Sequence, residues 1–314
     1  MFKRQSIIVC LFSFGKKHFK KKIVSENFQN IQSVFEEALA YDRAGDAYNA
    51  VKLYKKVVKM APEWSLPYHF LSIFYRGRNE WKPSFYYSQK AVEINPEDKT
   101  ARHILATAAT ALRRWKIARE AWNELGFDFK KSEKALDLDL GLIPVCINVK
   151  TKPEIVWARQ IDPARARIES IPQPSSDHRW REEILIDNQP MAHRTLRGKR
   201  LPIYAELERV RLSPFQTYAV ILETGQQKDV DILDGLCIDA DVGFDNWSKA
   251  TRQFWRRNRE VLPEFFGAEI FSRAHTDTPY SLIALSAKNN FEVKEVLYAW
   301  KVITLQSYRN LVRL

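Results

Sequence analysis

Cysteine, glycine and long apolar runs are all scarce in these 314 residues, and each shortage removes a class of explanation. Three cysteines (Cys10, Cys146 and Cys237) lie far apart, which excludes a disulfide framework and leaves no CxxC pair for zinc. A reducing, cytoplasmic setting is therefore expected. Ten glycines, none in a GxxxxGK or GxGxxG arrangement, provide no loop to cradle phosphates. There is no GxSxG elbow and no HExxH pair, and the histidines at 18, 69, 103, 178, 193 and 275 are scattered. His275-Thr-Asp277 places two polar groups close together, but one such triplet is expected by chance. No apolar run approaches the ~18–20 residues of a membrane helix. No cofactor, metal site or enzymatic activity is expected.

Hydrophobic residues make up 45% of the chain and charged residues 28%, enough to bury a core and too much for extended disorder. At roughly 100–200 residues per domain, the length points to two domains. The net charge of +12 is unevenly placed. Lys3, Arg4, Lys16, Lys17, Lys20, Lys21 and Lys22 stand in a stretch without a single acid, around the apolar Ser6–Phe14. A positive start before an apolar segment is how a secretory signal begins, but this one runs into Gly15-Lys-Lys-His-Phe-Lys-Lys-Lys22 instead of a small-residue cleavage site. Residues 1–25 are read as a basic tail, with an anchor to a membrane surface or acidic partner as the alternative.

The chain also repeats itself. Pro62 and Pro96 are 34 residues apart, and the same period aligns Ala50, Ser84 and Ala118; Tyr41, Tyr75 and Ala109; Val57, Ala91 and Leu125; and Tyr54, Ser88 and Trp122. Each unit is two helical patterns divided by a polar break, at Arg43–Asp46, Gly77–Glu80 and Leu112–Trp115. Small residues let paired helices approach, aromatic ones fill the space between units, and a proline ends the second helix.

These columns resemble the tetratricopeptide repeat (TPR) family, in about three copies over residues 31–130. In the third copy Lys130 stands where the closing proline belongs. The resemblance implies an α-solenoid over residues 26–130 whose first helices line a concave groove for a peptide or partner helix. In the family's register the groove positions fall on Phe35, Leu39, Arg43, His69, Ile73, Arg76, His103 and Thr107. Some relatives clamp an acidic C-terminal tail there with lysines and asparagines; Leu39, Ile73 and Thr107 stand where the asparagines would help. Arg43, Arg76 and the two histidines imply a protein or peptide ligand with some acidic character, although the same residues suit packing on the C-terminal part of the chain. The third unit lacks a closing proline and a polar cap, so its outer face is expected to pack on residues 131–314.

After Gly126 the helical period fades, and Lys130–Lys134 reads as a linker or a short final helix. Strands are predicted at Leu142–Val149, Glu154–Arg159, Arg167–Ile171, Glu183–Ile186 and Phe215–Glu223, segments rich in Ile and Val. Leu201–Leu212 fits a short helix or an alternating strand, and Ile171–Ser176 is a loop by composition. Helices are predicted at Trp247–Leu262 and at 291–312, with a buried strand at Tyr280–Ser286. The fold class is α + β: the solenoid, then residues 131–314 as an α+β domain with a mainly antiparallel sheet.

Two charged segments remain. Asp229–Asp245 is dense in aspartate, but counted from Asp239 its glycine comes fifth and Ala250 stands twelfth, so it is no EF-hand and reads as a turn-rich acidic loop. Trp247–Leu262 sets Lys249, Arg252, Arg256 and Arg259 opposite its apolar side, a face for nucleic-acid phosphates or an acidic partner if it is not simply solvated. With no catalytic motif, the chain reads as a non-enzymatic adaptor that binds a peptide or partner segment in the groove. The alternative is an enzyme or nucleic-acid-binding α+β domain targeted by its TPR array.

Overall fold

A computed structural model describes residues 25–196, 199–248 and 280–314. Most of the basic tail, the basic segment from Lys249 onward for which a helix is predicted, and the His275–Asp277 triplet lie outside the described residues. The chain forms two compact units, residues 1–105 and 106–314.

The first unit consists of paired helices: α1 (Ser25–Arg43), α2 (Ala47–Met60), α3 (Ser65–Gly77), α4 (Trp81–Ile94) and the start of α5 (Lys99–Ala111). In the second unit, α6 (Trp115–Asn123) follows. The starts of α2, α4 and α6 at Ala47, Trp81 and Trp115, and of α3 and α5 at Ser65 and Lys99, keep the 34-residue step, so these are TPR-like helix pairs. Where paired helices meet, the side chains are small. Ser72 and Ser84 are both fully buried, and the Ser84 hydroxyl donates to the Ser72 carbonyl at 3.2 Å, fastening α4 to α3. The breaks between paired helices carry a left-handed residue at one phase: Gly45 (φ 79°), Asn79 (φ 58°) and Arg113 (φ 57°). After the first, Asp46 caps α2 by accepting from the Asn49 N–H at 3.1 Å.

The second unit continues into two sheets. The first holds β1 (Leu142–Ile147), β2 (Glu154–Asp162), β3 (Arg165–Ile168), β4 (Glu183–Ile186), β5 (Ala192–Leu196) and β6 (Lys199–Arg211). The neighbours β1-β2-β3-β4-β6 are antiparallel, and β6 returns to β1 in parallel at Val145–Tyr204 and Cys146–Ala205, closing a five-stranded barrel that β5 extends as a hairpin. Its interior is filled by Val145, Ile147, Val156, Ala158, Ala166, Ile168, Ile184 and Ile186, the alanines fitting the narrow ring.

The second sheet follows the order β7 (Gln216–Leu222), α7 (Gln227–Asp239), β8 (Gly243–Asn246), β9 (Ser281–Ala287), α8 (Asn290–Thr304), β10 (Tyr308–Arg313). Its spatial order β10-β7-β9-β8, antiparallel throughout, is the β-α-β-β-α-β ferredoxin-like arrangement. Both helices cover one face, where Val230, Leu233, Val296, Leu297 and Trp300 meet Val220, Ile283 and Leu285. The opposite face is covered by the barrel's own 169–182 loop and by Trp247, whose indole N–H donates to the Ile171 carbonyl at 3.2 Å.

Two sequence expectations change here, and one open alternative is decided. Much of the acidic segment is the helix α7, because Val230, Leu233 and Cys237 bury a helical stripe between the aspartates. The helix predicted over 291–312 stops at Thr304, where Leu305 turns left-handed (φ 58°) and the chain returns as β10. Leu201–Leu212 resolves as strand.

The last repeat helix is tied to the strands that follow it. Arg119 donates to the Lys130 and Lys134 carbonyls at 3.0 and 2.9 Å. Arg165 lies 4.8 Å over the Trp115 ring while bound to Asp162 at 2.6 Å and to the Leu136 carbonyl.

Candidate functional site

The eight groove positions divide into buried and accessible residues. Phe35 is 3% exposed, its ring 4.5 Å from Trp64 and 5.8 Å from both Tyr54 and Phe70. Leu39 is buried in the same cluster. Both pack in the core cluster of the first helix pair, against which Trp64 at the entry to α3 is placed.

His69 and Asp98 occupy the phases of Phe35 and Trp64 one repeat later. His69 Nδ1 lies 2.6 Å from Asp98 Oδ2, and both side chains are buried. The other carboxylate oxygen of Asp98 accepts from the Ala101 N–H at 2.9 Å at the start of α5. Burial alone raises the Asp98 carboxyl, but the hydrogen bond and charge of His69 and the Ala101 N–H outweigh it and hold the pKa below its ordinary value. One column of the repeat thus joins successive helix pairs, by aromatic packing in the first and by a polar pair in the second. His69 is buried in that joint.

Thr107 is 2% exposed and belongs to the second unit. Arg43 is exposed in the last turn of α1, and Ile73, Arg76 and His103 are half-buried. Ile73 and Arg76 share a stripe of α3 with His69 at i, i+4 and i+7. Two features escaped the sequence reading. Phe74 is half-buried with the Arg78 guanidinium 5.6 Å over its ring. Lys52, Lys55, Lys56 and Lys59 form one exposed row of α2, a spacing that was legible in the sequence.

A second titratable cluster sits beside the barrel. His178 Nδ1 lies 2.8 Å from Glu182 and its Nε2 3.1 Å from Glu206, while the Arg209 guanidinium reaches Glu182 at 3.2 Å. Glu206 also accepts from the Asn148 N–H at 2.8 Å, and Asn148 donates to the Ser176 carbonyl at 2.7 Å. Burial works to lower the imidazole pKa, but hydrogen bonds to both carboxylates raise it from 6.5 to about 9. The imidazolium is gripped on both nitrogens, so the cluster fastens the 169–182 loop to β6.

Lys249, Arg252, Arg256 and Arg259 lie outside the described residues. An open four-stranded sheet of this topology can read RNA by stacking bases on its face. Here Ile171, Trp180 and Trp247 already cover that face. Among the described residues, no group of His, Cys, Asp and Glu is arranged to hold a metal ion, and no helix is long and apolar enough to cross a membrane.

No protein-family model and no curated protein sequence matches the chain. Similar solved structures include the TPR2B-domain:pHsp70 complex of yeast Sti1, 25% identical over 31% of this chain and 77% of that one, with a TM-score of 0.28. Another is the first TPR of Spaghetti (RPAP3) bound to the HSP90 peptide SRMEEVD, 18% identical over 31% of this chain and 77% of that one, TM-score 0.29. A hypothetical protein from Neisseria gonorrhoeae is 13% identical over 56% of this chain and 95% of that one, TM-score 0.22.

Proposed function

We propose that the chain is a protein-interaction adaptor that takes a short, partly acidic peptide segment along α3. The observation that carries this reading is the accessible stripe of that helix: Ile73, Phe74 and Arg76 keep exposed surface on an element whose other side is locked in the repeat core. An apolar side chain of the ligand would sit on Ile73 and Phe74, and a carboxylate would reach Arg76, with exposed Arg43 adding positive charge. The buried positions Phe35, Leu39 and His69 hold the helices at fixed spacing and do not touch the ligand.

The test is a peptide array of acidic-apolar twelve-residue segments probed with the full chain, followed by affinity measurement on the strongest binders. Arg76→Ala should weaken binding by about 1–3 kcal/mol, the worth of a hydrogen bond to a charged group. Ile73→Asp should weaken it further at an unchanged melting temperature. Normal binding by both folded variants would place the ligand elsewhere.

A further inference from the structure

The ferredoxin-like part contains a cavity that the adaptor reading leaves unused. It lies between β7, β10 and the first turns of α8, with a volume of about 560 Å³. That is within the ~300–1,000 Å³ range of small-molecule sites. Its cationic lining comes from three places in the sequence: Lys288 after β9, Lys294 on α8 and Arg313 at the end of β10. Tyr218 and Leu311 form an apolar wall, and Gln216 adds an amide.

A backbone irregularity aims the arginine. From Tyr308, strict alternation along β10 would send Leu311 and Arg313 to the face opposite Tyr308. The register between β10 and β7 shifts between Arg309 and Val312, and Asn310 takes a left-handed conformation at φ 54°. The bulge brings Leu311 back to the helix-covered side with Tyr308 and carries Arg313 to the cavity. There the Arg313 guanidinium donates to Gln216 Oε1 at 3.0 Å, which fixes its orientation and leaves further N–H groups for a ligand.

The acids nearby are already engaged. Glu292 accepts from the Lys288 N–H at 3.0 Å and from the Asn289 side chain at 2.9 Å. Asp241 holds Arg181 through two hydrogen bonds, at 2.9 and 2.6 Å. No acid lines the cavity, and Lys294 has no ion-pair partner among the described residues. Lys288 contributes at the rim, its ammonium lying 5.5 Å from the Phe215 ring centroid, so Lys294 and Arg313 are the two cations beside the apolar wall, an arrangement that suits a ligand with negative charge and an uncharged body.

We propose that this cavity binds a phosphate-bearing small molecule of nucleotide size, with Lys294 and Arg313 holding the phosphates and the Tyr218–Leu311 wall holding the body. The experiment is calorimetric titration of the full chain with metal-free adenosine diphosphate, pyrophosphate and adenosine. Adenosine diphosphate should bind at least tenfold more tightly than either fragment. Lys294→Gln and Arg313→Gln should each weaken it at least tenfold at an unchanged melting temperature, both side chains being exposed. Absence of binding by wild type, or equal binding by the folded Lys294→Gln/Arg313→Gln double variant, overturns the assignment. So does a single-stranded RNA hexamer that binds a hundredfold more tightly than the nucleotide and is lost in the same variants, since the site would then be a nucleic-acid groove.

Discussion

Gly45, Asn79 and Arg113 occupy the same left-handed backbone position in successive breaks between paired helices, and they suit it unequally. Glycine meets no steric penalty there, and asparagine is tolerated. For arginine the Cβ crowds the following carbonyl at a cost of about 1–2 kcal/mol. The Arg113 side chain is exposed, so its removal forfeits little packing. Arg113→Gly should therefore stabilise the protein by about 0.5–1 kcal/mol, the strain relieved less the extra chain entropy that glycine brings to the unfolded state. Gly45→Ala should cost about 1 kcal/mol through the same φ requirement, because a Cβ there meets nothing within 4 Å. Urea midpoints at constant m-value measure both effects, and a less stable Arg113→Gly would contradict the left-handed turn. The first break, Arg43–Asp46, was legible as a polar break between two helical patterns. The third was weak in the sequence because arginine gives no sign of the conformation it is held in.

Packing between elements sets a sharper demand at Gly243, the first residue of β8. A Cβ added there would lie 2.7 Å from Cδ2 of Trp180 and 3.0 Å from Cβ of Ser286. Trp180 cannot easily yield, since its ring packs edge-on against Phe215 at 4.8 Å and Arg181 covers it at 4.1 Å. Gly243→Ala should cost about 1–3 kcal/mol as overpacking. Gly235→Ala, in α7 with nothing within 4 Å, should gain up to about 1 kcal/mol from helix propensity. Thermal melting of the two variants side by side separates close approach from glycine content, and equal shifts would contradict the packing account. Elements with a strong apolar pattern were legible: Glu183–Ile186 is a strand at the predicted residues, and the 34-residue step reappears in the helix starts. Elements defined by tertiary contacts were not. α7 was hidden by its aspartates, and β10 by an apolar spacing that continues past Leu305, where only the backbone reverses. Half of the candidate groove positions are buried for a related reason. Repeat phase identifies which helix a residue belongs to, but whether Phe35 faces a ligand depends on Trp64, 29 positions away.

At the scale of the whole chain, the repeat pattern and the packing divide the sequence differently. α6 completes the third helix pair by its phase, yet it belongs to the compact unit of residues 106–314, where Arg119 and Trp115 join it to the linker and to β3. The barrel and the ferredoxin-like sheet of that unit share the 169–182 loop, which the His178 cluster holds in place, so global stability should respond to the protonation of one residue. His178 has a folded pKa raised to about 9 from an ordinary 6.5. A group whose pKa is raised on folding stabilises the folded state fully below its unfolded pKa, and the contribution disappears as pH rises through the folded one. Stability should therefore be greatest below about pH 6.5 as far as this group is concerned, and decline toward pH 9 and beyond by a total on the order of 3 kcal/mol. Deprotonation would leave Glu182 and Glu206 close together and buried, with Arg209 alone to balance them. Urea unfolding at pH 6.5, 8 and 10 reads the decline directly. In His178→Gln the glutamine amide can donate to one carboxylate but carries no charge, so that variant should be less stable than wild type at pH 6.5 and nearly level across the same range. A wild-type profile as flat as that of His178→Gln would mean that the imidazole is neutral in the folded protein and that the loop is held by its other contacts, among them Asn148 to the Ser176 carbonyl and Trp247 to the Ile171 carbonyl.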